Sequence, residues 1–231
     1  MTDTHEAAHE SNPETAPDTP IIVPLHLPHL VAAGLAVNPK DIRERVVGVH
    51  VEVSAGIIRI VGSDGNILFA AMDERECAGV PDLKVTIPYS MVQGIKAPKG
   101  RDAFNLNLEV HRKFPLGGLR MLRLVLTLNG TTSSREGMEV EDDYPDWRRV
   151  IPDSARLEYA QFLPHLITRL DKINTALGGE KYFSWEIFPN GKWKAALVQF
   201  RVDLNCVACI MPWKDSSDRA EESMVARIKG W

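Results

Sequence analysis

The residues with chemical potential are few, and their spacing suits structure better than catalysis. Cys206 and Cys209 form a C-x-x-C, the spacing of many redox and metal sites. They lie, however, in an alternating apolar stretch, where positions i and i+3 of a strand point to opposite faces. Only Cys77 adds a further thiol, too few for a four-cysteine zinc site, so core cysteines in a reduced protein are expected. His26 and His29 suggest a metal pair, but no carboxylate accompanies them at helical spacing, which favours plain surface or core histidines. The acidic run 139–146 reads as a solvated turn rather than a cation site. A phosphate-cradling glycine loop, a Gly-x-Ser-x-Gly elbow and a His-Glu-x-x-His pair are all missing from the sequence. The expectation is a non-enzymatic protein with no cofactor and no metal. A hydrolase or metal-dependent nuclease on a β-rich scaffold is the enzymatic alternative, and it requires carboxylates that converge in a cleft.

The elements that would position any binding site are mostly strands. Apolar residues make up 44% of the 231-residue chain and charged ones 25%, values of an ordinary globular protein with a sizeable core. No apolar run is long enough to span a bilayer, and the first residues lack the basic-then-apolar pattern of a signal peptide, so a cytoplasmic location with no membrane partner is expected. The net charge is −4, but residues 1–19 hold five acids and no Lys or Arg, which leaves the remainder near +1. A nearly neutral body does not grip nucleic acid over its whole surface.

Periodicity predicts strands over 21–24, 47–53, 57–61 and 67–71, with an Asp64-Gly65-Asn66 hairpin turn before the last. Further strands are expected over 83–87, 104–110, 122–128, 138–140, 182–188, 193–200 and 204–211. Helices are expected over 28–37, 89–97 and 160–177, and a short terminal one over 219–228. The order strand, helix, strands recurs three times, which makes the fold class α+β with repeated units. The implied organisation is an acidic disordered tail (1–19), a domain of two repeat units (20–145), a linker (146–154), a shorter domain of one unit (155–214) and an extension (215–231).

Three short segments carry a resemblance. They are Gly62-Ser63-Asp64-Gly65-Asn66-Ile67-Leu68, then Tyr144-Pro145-Asp146-Trp147-Arg148-Arg149-Val150-Ile151-Pro152, then Val207-Ala208-Cys209-Ile210-Met211-Pro212-Trp213-Lys214. In this order they resemble the bacterial DNA polymerase III β subunit, the DNA sliding clamp, across its middle and last domains. The family has a Thr-Asp-Gly-His-Arg-Leu turn, a Phe-Pro-Asp-Tyr-Arg-Arg-Val linker and a terminal Val-Met-Pro-Met strand, which together capture linear peptide motifs of polymerases and other clients. The resemblance covers about residues 20–214. It implies a clamp-like fold with sheets on one side and helices on the other, and a pocket at Asp64, Gly65, Leu68, Pro145, Arg149, Val150, Met211, Pro212 and Trp213. Ile67 stands where the family has arginine.

The physical reading agrees: Leu68, Val150, Met211 and Trp213 would supply an adaptable apolar patch, with Arg149 as a charged donor at its rim. The plain alternatives are core packing for Trp147 and Trp213, and pairing of Arg148 and Arg149 with Glu141, Asp142 or Asp143. The resemblance also implies contact with DNA, for which Lys96, Lys99, Arg101, Arg169 and Lys172 are the candidates, with Lys40, Arg43 and Arg45 beyond them. Such scattered cations are more often solvated surface, although a sliding protein needs only a weak, sequence-blind lining. A family ring has about a dozen inner helices, so three per chain imply about four chains, or a clamp-like adaptor that never encircles DNA. A shortened replication or repair accessory of this kind suits a phage or mobile element.

Overall fold

The computed structural model describes residues 19–73, 77, 79–98, 103–111, 118–141, 143–152, 160–179, 184–191 and 193–213. All but the last residue of the expected tail, the terminal helix over 219–228 and the whole extension fall outside these residues.

β1 (Ile21–Leu25) leads into α1 (Leu27–Ala36), then come β2 (Gly48–Ser54), β3 (Ile57–Ser63) and β4 (Ile67–Asp73). β5 (Leu83–Pro88), α2 (Tyr89–Val92), β6 (Phe104–Val110), β7 (Met121–Leu128) and β8 (Thr131–Met138) follow. A 3-10 turn, Trp147–Val150, the second after Glu44–Val46, precedes α3 (Pro164–Ala176), β9 (Trp185–Phe188), β10 (Ala196–Phe200) and β11 (Cys206–Ile210). The strands form two antiparallel sheets, one in the order β1-β6-β7-β8 and one in the order β5-β2-β3-β4-β11-β10-β9. The β4–β11 ladder is the decisive pairing, because it joins the early strands to the last ones in one sheet, with Leu68 opposite Cys209.

α1 is apolar on every side (LPHLVAAGLA), and nine of its ten residues are buried. A helix of that composition belongs inside a core rather than on a surface. It lies against β3 so closely that a Cβ on Gly62 would come 2.0 Å from the Ala33 carbonyl oxygen. α3 buries Leu166, Leu170 and Ile173, one face at helical spacing, together with Asn174 and Ala176 in its last turn. The main core takes one face of each sheet, including Val49, Val51, Ile58, Ile60 and Phe69 from the larger sheet and Leu106, Leu108 and Leu122 from the smaller. A second, smaller cluster (Val61, Leu68, Ala70, Trp147 and Cys209) covers the opposite face of the larger sheet at its centre.

Three expected elements differ. The helix over 89–97 is a single turn, because Gly94 has φ +76 and Pro98 follows. Arg135 from β8 donates to the carbonyls of Met91 and Gln93 at that turn's end (3.1 and 2.6 Å). The short strand expected over 138–140 is instead β8, whose sequence TTSSREGM lacks apolar alternation because both its faces are largely exposed at the sheet edge. Its hairpin turn is Asn129-Gly130, with φ +49 and +82, the left-handed pair that a two-residue turn requires. α3 begins at Pro164 rather than at 160, with the proline in the first turn, where its missing N–H costs nothing.

Candidate functional site

Three chain segments more than sixty residues apart meet at one end of the β4–β11 ladder. The first is the β3–β4 turn, where the Asp64 carboxylate accepts the backbone N–H groups of Asn66 (2.9 Å) and Ile67 (3.0 Å). Gly65 occupies the tight position with φ +83, and its carbonyl neighbour Asp64 accepts from Arg43 (2.9 Å). The second is the Trp147–Val150 turn, which lays the indole of Trp147 on Leu68 and Cys209. The third is the end of β11, where the Met211 N–H donates to the Asn66 carbonyl (2.8 Å) and the Trp213 N–H to the Gln161 carbonyl (2.7 Å).

Within this junction the expected residues divide by exposure. Val150 is 40% exposed and Trp213 50%, both large apolar side chains left in solvent, while Met211 is partly buried. Arg149 is 84% exposed and, among the described residues, pairs with Asp146 at 3.3 Å, which leaves its guanidinium at the surface. Pro145 and Gly65 are exposed. Leu68, Pro212 and Asp64 are buried and form the floor and frame rather than an accessible surface. Trp147, at 9% exposure, packs as a core residue; Trp213 does not.

The two linker arginines take other partners than the plain alternative of acids 141–143 supplies. Neither takes Glu141 or Asp143 in the ion pairs seen here, and Asp142 lies outside the described residues. Arg148 makes a two-pronged pair with Glu52 on β2 (3.0 and 3.1 Å), and its guanidinium stacks 4.4 Å over the Trp147 ring. Burial works to raise the Glu52 carboxyl, but the hydrogen bonds and charge of Arg148 outweigh it and hold the group below its usual range. Beside them Tyr144 stacks on His50 (4.7 Å, 10° between planes). Burial raises the Tyr144 hydroxyl and lowers His50 to about 4. The Trp147 indole N–H and the Tyr144 hydroxyl are buried with no hydrogen-bond partner. Glu52, Lys84, Arg120, Glu139, Glu141 and Arg148 help line a cleft of about 400 Å³ on this side of Trp147. Its walls mix both charges, with Arg120 on Glu139 and Arg148 on Glu52, so it offers little to apolar anchors.

The DNA candidates also separate. The Arg169 side chain turns inward: it pairs with Asp64 and donates to the carbonyls of Leu35 (3.0 Å) and Val37 (3.5 Å) at the C-terminal end of α1. That geometry commits it to holding α1, α3 and the β3–β4 turn together. Arg43 is likewise held, by Asp41 (2.7 Å). Lys96 and Lys172 are exposed, as are Lys40 and Arg45, whereas Lys99 and Arg101 lie outside the described residues.

For metals, helical spacing puts no carboxylate beside His29 in the sequence. The fold supplies one from 174 positions away, with Asp203 2.7 Å from the His29 ring, and Cys206 joins them. Cys206 and Cys209 do face opposite sides, one in each apolar cluster, and burial pushes the Cys209 thiol up to about 12.

No family model matches the sequence, and no curated protein matches it. Solved structures do match. The DNA polymerase III β subunit of Pseudomonas aeruginosa aligns over 91% of this chain and 70% of its own, with a TM-score of 0.60 at 14% identity. The fold is that of a DNA sliding clamp. The Thermotoga maritima β subunit gives 0.58 at 13% identity over 91% of this chain and 70% of its own, and that of Streptococcus pyogenes gives 0.57 at 11% over 90% and 69%. The resemblance carried by three short motifs thus extends, as fold, over the body of the chain. Among the described residues, no helix is long and apolar enough to cross a membrane.

Proposed function

We propose that this clamp-fold protein is a non-enzymatic replication or repair accessory that holds linear peptide motifs of polymerases or other clients. The observation that carries the proposal is the convergence of the β3–β4 turn, the Trp147–Val150 turn and the end of β11 around two exposed apolar side chains, Val150 and Trp213. An unstructured peptide bound by a few apolar anchors needs such a patch, a rigid floor and a mobile polar donor at the rim. Leu68 and Trp147 form the floor, Met211, Trp213 and Val150 the contact surface, and Arg149 the donor. Asp64 and Gly65 shape the turn, while Pro145 and Pro212 stiffen the backbone at the two remaining borders. In this reading residues 20–145 form one clamp-like domain, 146–154 the linker and 155–214 a shortened second domain, and about four chains would complete a ring.

The test is fluorescence polarisation with a labelled clamp-binding peptide from a bacterial replicative polymerase. Saturable binding is expected, and Met211→Ala and Trp213→Ala should each weaken it about thirtyfold or more, the cost of losing a central anchor worth about 2 kcal/mol. Unchanged affinity in both variants refutes the site.

One observation favours a second reading, a clamp-like adaptor that does not encircle DNA: Arg169, one of the candidates for a DNA-facing lining, is committed to Asp64 and α1. A monomer by light scattering that is not retained on circular DNA supports the adaptor, and a ring-sized oligomer retained there excludes it.

A further inference from the structure

The strongest cluster outside that junction lies where α1 meets the turn between β10 and β11. His29 Nε2 stands 2.7 Å from an Asp203 carboxylate oxygen, and with the Cys206 thiol they form a group whose ligand atoms all lie within 4.8 Å of one another. His29 is 4% exposed and Cys206 fully buried, with Asp203 at the mouth. The ring of His26 is centred 4.2 Å from that of His29. We propose that His29, Asp203 and Cys206 form a binding site for one zinc ion, which fastens α1 to the β10–β11 turn.

The donor set chooses the metal. Imidazole nitrogen, carboxylate oxygen and thiolate sulfur suit zinc, whereas magnesium and calcium demand oxygen throughout. A His–Asp pair alone would be complete as a buried hydrogen-bonded pair; the sulfur beside it is the added soft ligand. Zinc bond lengths of about 2.0–2.3 Å place tetrahedral ligand atoms about 3.3–3.7 Å apart. The nitrogen and oxygen therefore separate slightly and the sulfur closes in, movements that side-chain rotation supplies. The fourth position falls to His26 or to water.

Charge completes the case. Without metal, the Cys206 thiol is buried beside the Asp203 carboxylate. Zinc exchanges water ligands for nitrogen, oxygen and sulfur; the thiol proton leaves to solvent, and the hydrogen on His29 Nε2 leaves as well, so that the neutral imidazole ligates through Nε2. Carboxylate and thiolate then neutralise the dication, leaving a buried centre without net charge.

The test uses the full chain, stripped of metal and titrated with cobalt(II), whose tetrahedral thiolate complexes absorb intensely in the visible and show a sulfur-to-cobalt charge-transfer band. One cobalt per chain with that band is expected, displaced by zinc. The band should vanish in Cys206→Ala and persist in Cys77→Ala and Cys209→Ala. Asp203→Asn, which keeps the shape of the turn, should weaken cobalt binding at least tenfold while leaving the metal-free melting profile cooperative. Absence of saturable uptake, a band that survives Cys206→Ala, or unchanged affinity in Asp203→Asn overturns the proposal. None of these outcomes bears on peptide binding, which is tested separately.

Discussion

His50 shows how one buried side chain couples this fold to pH. It sits on β2 with its imidazole against Thr86 (3.1 Å), stacked on Tyr144 and 6% exposed, and burial lowers its pKa to about 4 although Glu52 pulls it up. Lys84 and Arg148 lower it further, and Asp143 opposes them. The unfolded chain takes up this proton near pH 6.5, so between about 6.5 and 4 the unfolded state binds more protons and stability falls as the pH drops. The loss expected from this group is on the order of 3 kcal/mol. Urea midpoints measured from pH 7 to 4 should show it, and His50→Gln should flatten that part of the profile. An identical slope in the variant would assign the acid sensitivity to other groups. Little of this was legible at the residue scale. Arg148, Arg149 and Trp147 were singled out by motif, but Glu52 is 96 positions from Arg148, and only the register of β2 beneath the linker brings them together. Likewise, Arg169 read as one cation among many until the fold aimed it at Asp64.

At the scale of elements, periodicity was a reliable guide wherever one face of a strand is buried. β2 and β6 alternate because each has a core face, and their limits fall within a residue of the expected ones. β8 was invisible for the opposite reason: an edge strand exposed on both sides has no reason to alternate, and it shows itself only through the Asn129-Gly130 turn. α2 shrank to one turn because a glycine with positive φ ends it two residues after Val92. The approach of α1 to β3 makes the sharpest element-scale prediction. Gly62→Ala would place a methyl 2.0 Å from the Ala33 carbonyl oxygen, a backbone atom that cannot rotate away. Helix and strand must part, and the expected cost is about 3 kcal/mol, at the upper end for overpacking. Thermal melting of the variant checks it; an unchanged melting temperature would mean that α1 is not seated on β3 as described.

For the whole molecule, the organising feature is the β4–β11 ladder, which makes one seven-stranded sheet from strands more than 130 residues apart. That pairing explains why three motifs scattered along the chain can act as one surface. The turn before β4 and the tail after β11 are held side by side by the ladder, and Trp147 clamps the linker over it. The motifs were legible in sequence and so was their likeness to a clamp, because they are local strings. Their division into floor and surface was not, since Leu68 and Val150 are both simply apolar in sequence, and burial separates them only in the fold. Backbone amide exchange with and without a polymerase clamp-binding peptide tests the central claim most directly. Bound peptide should slow exchange together at 64–68, 147–151 and 211–213, and leave the exposed edge strand β8 unchanged. Protection confined to any other surface, or none at saturating peptide, would contradict it.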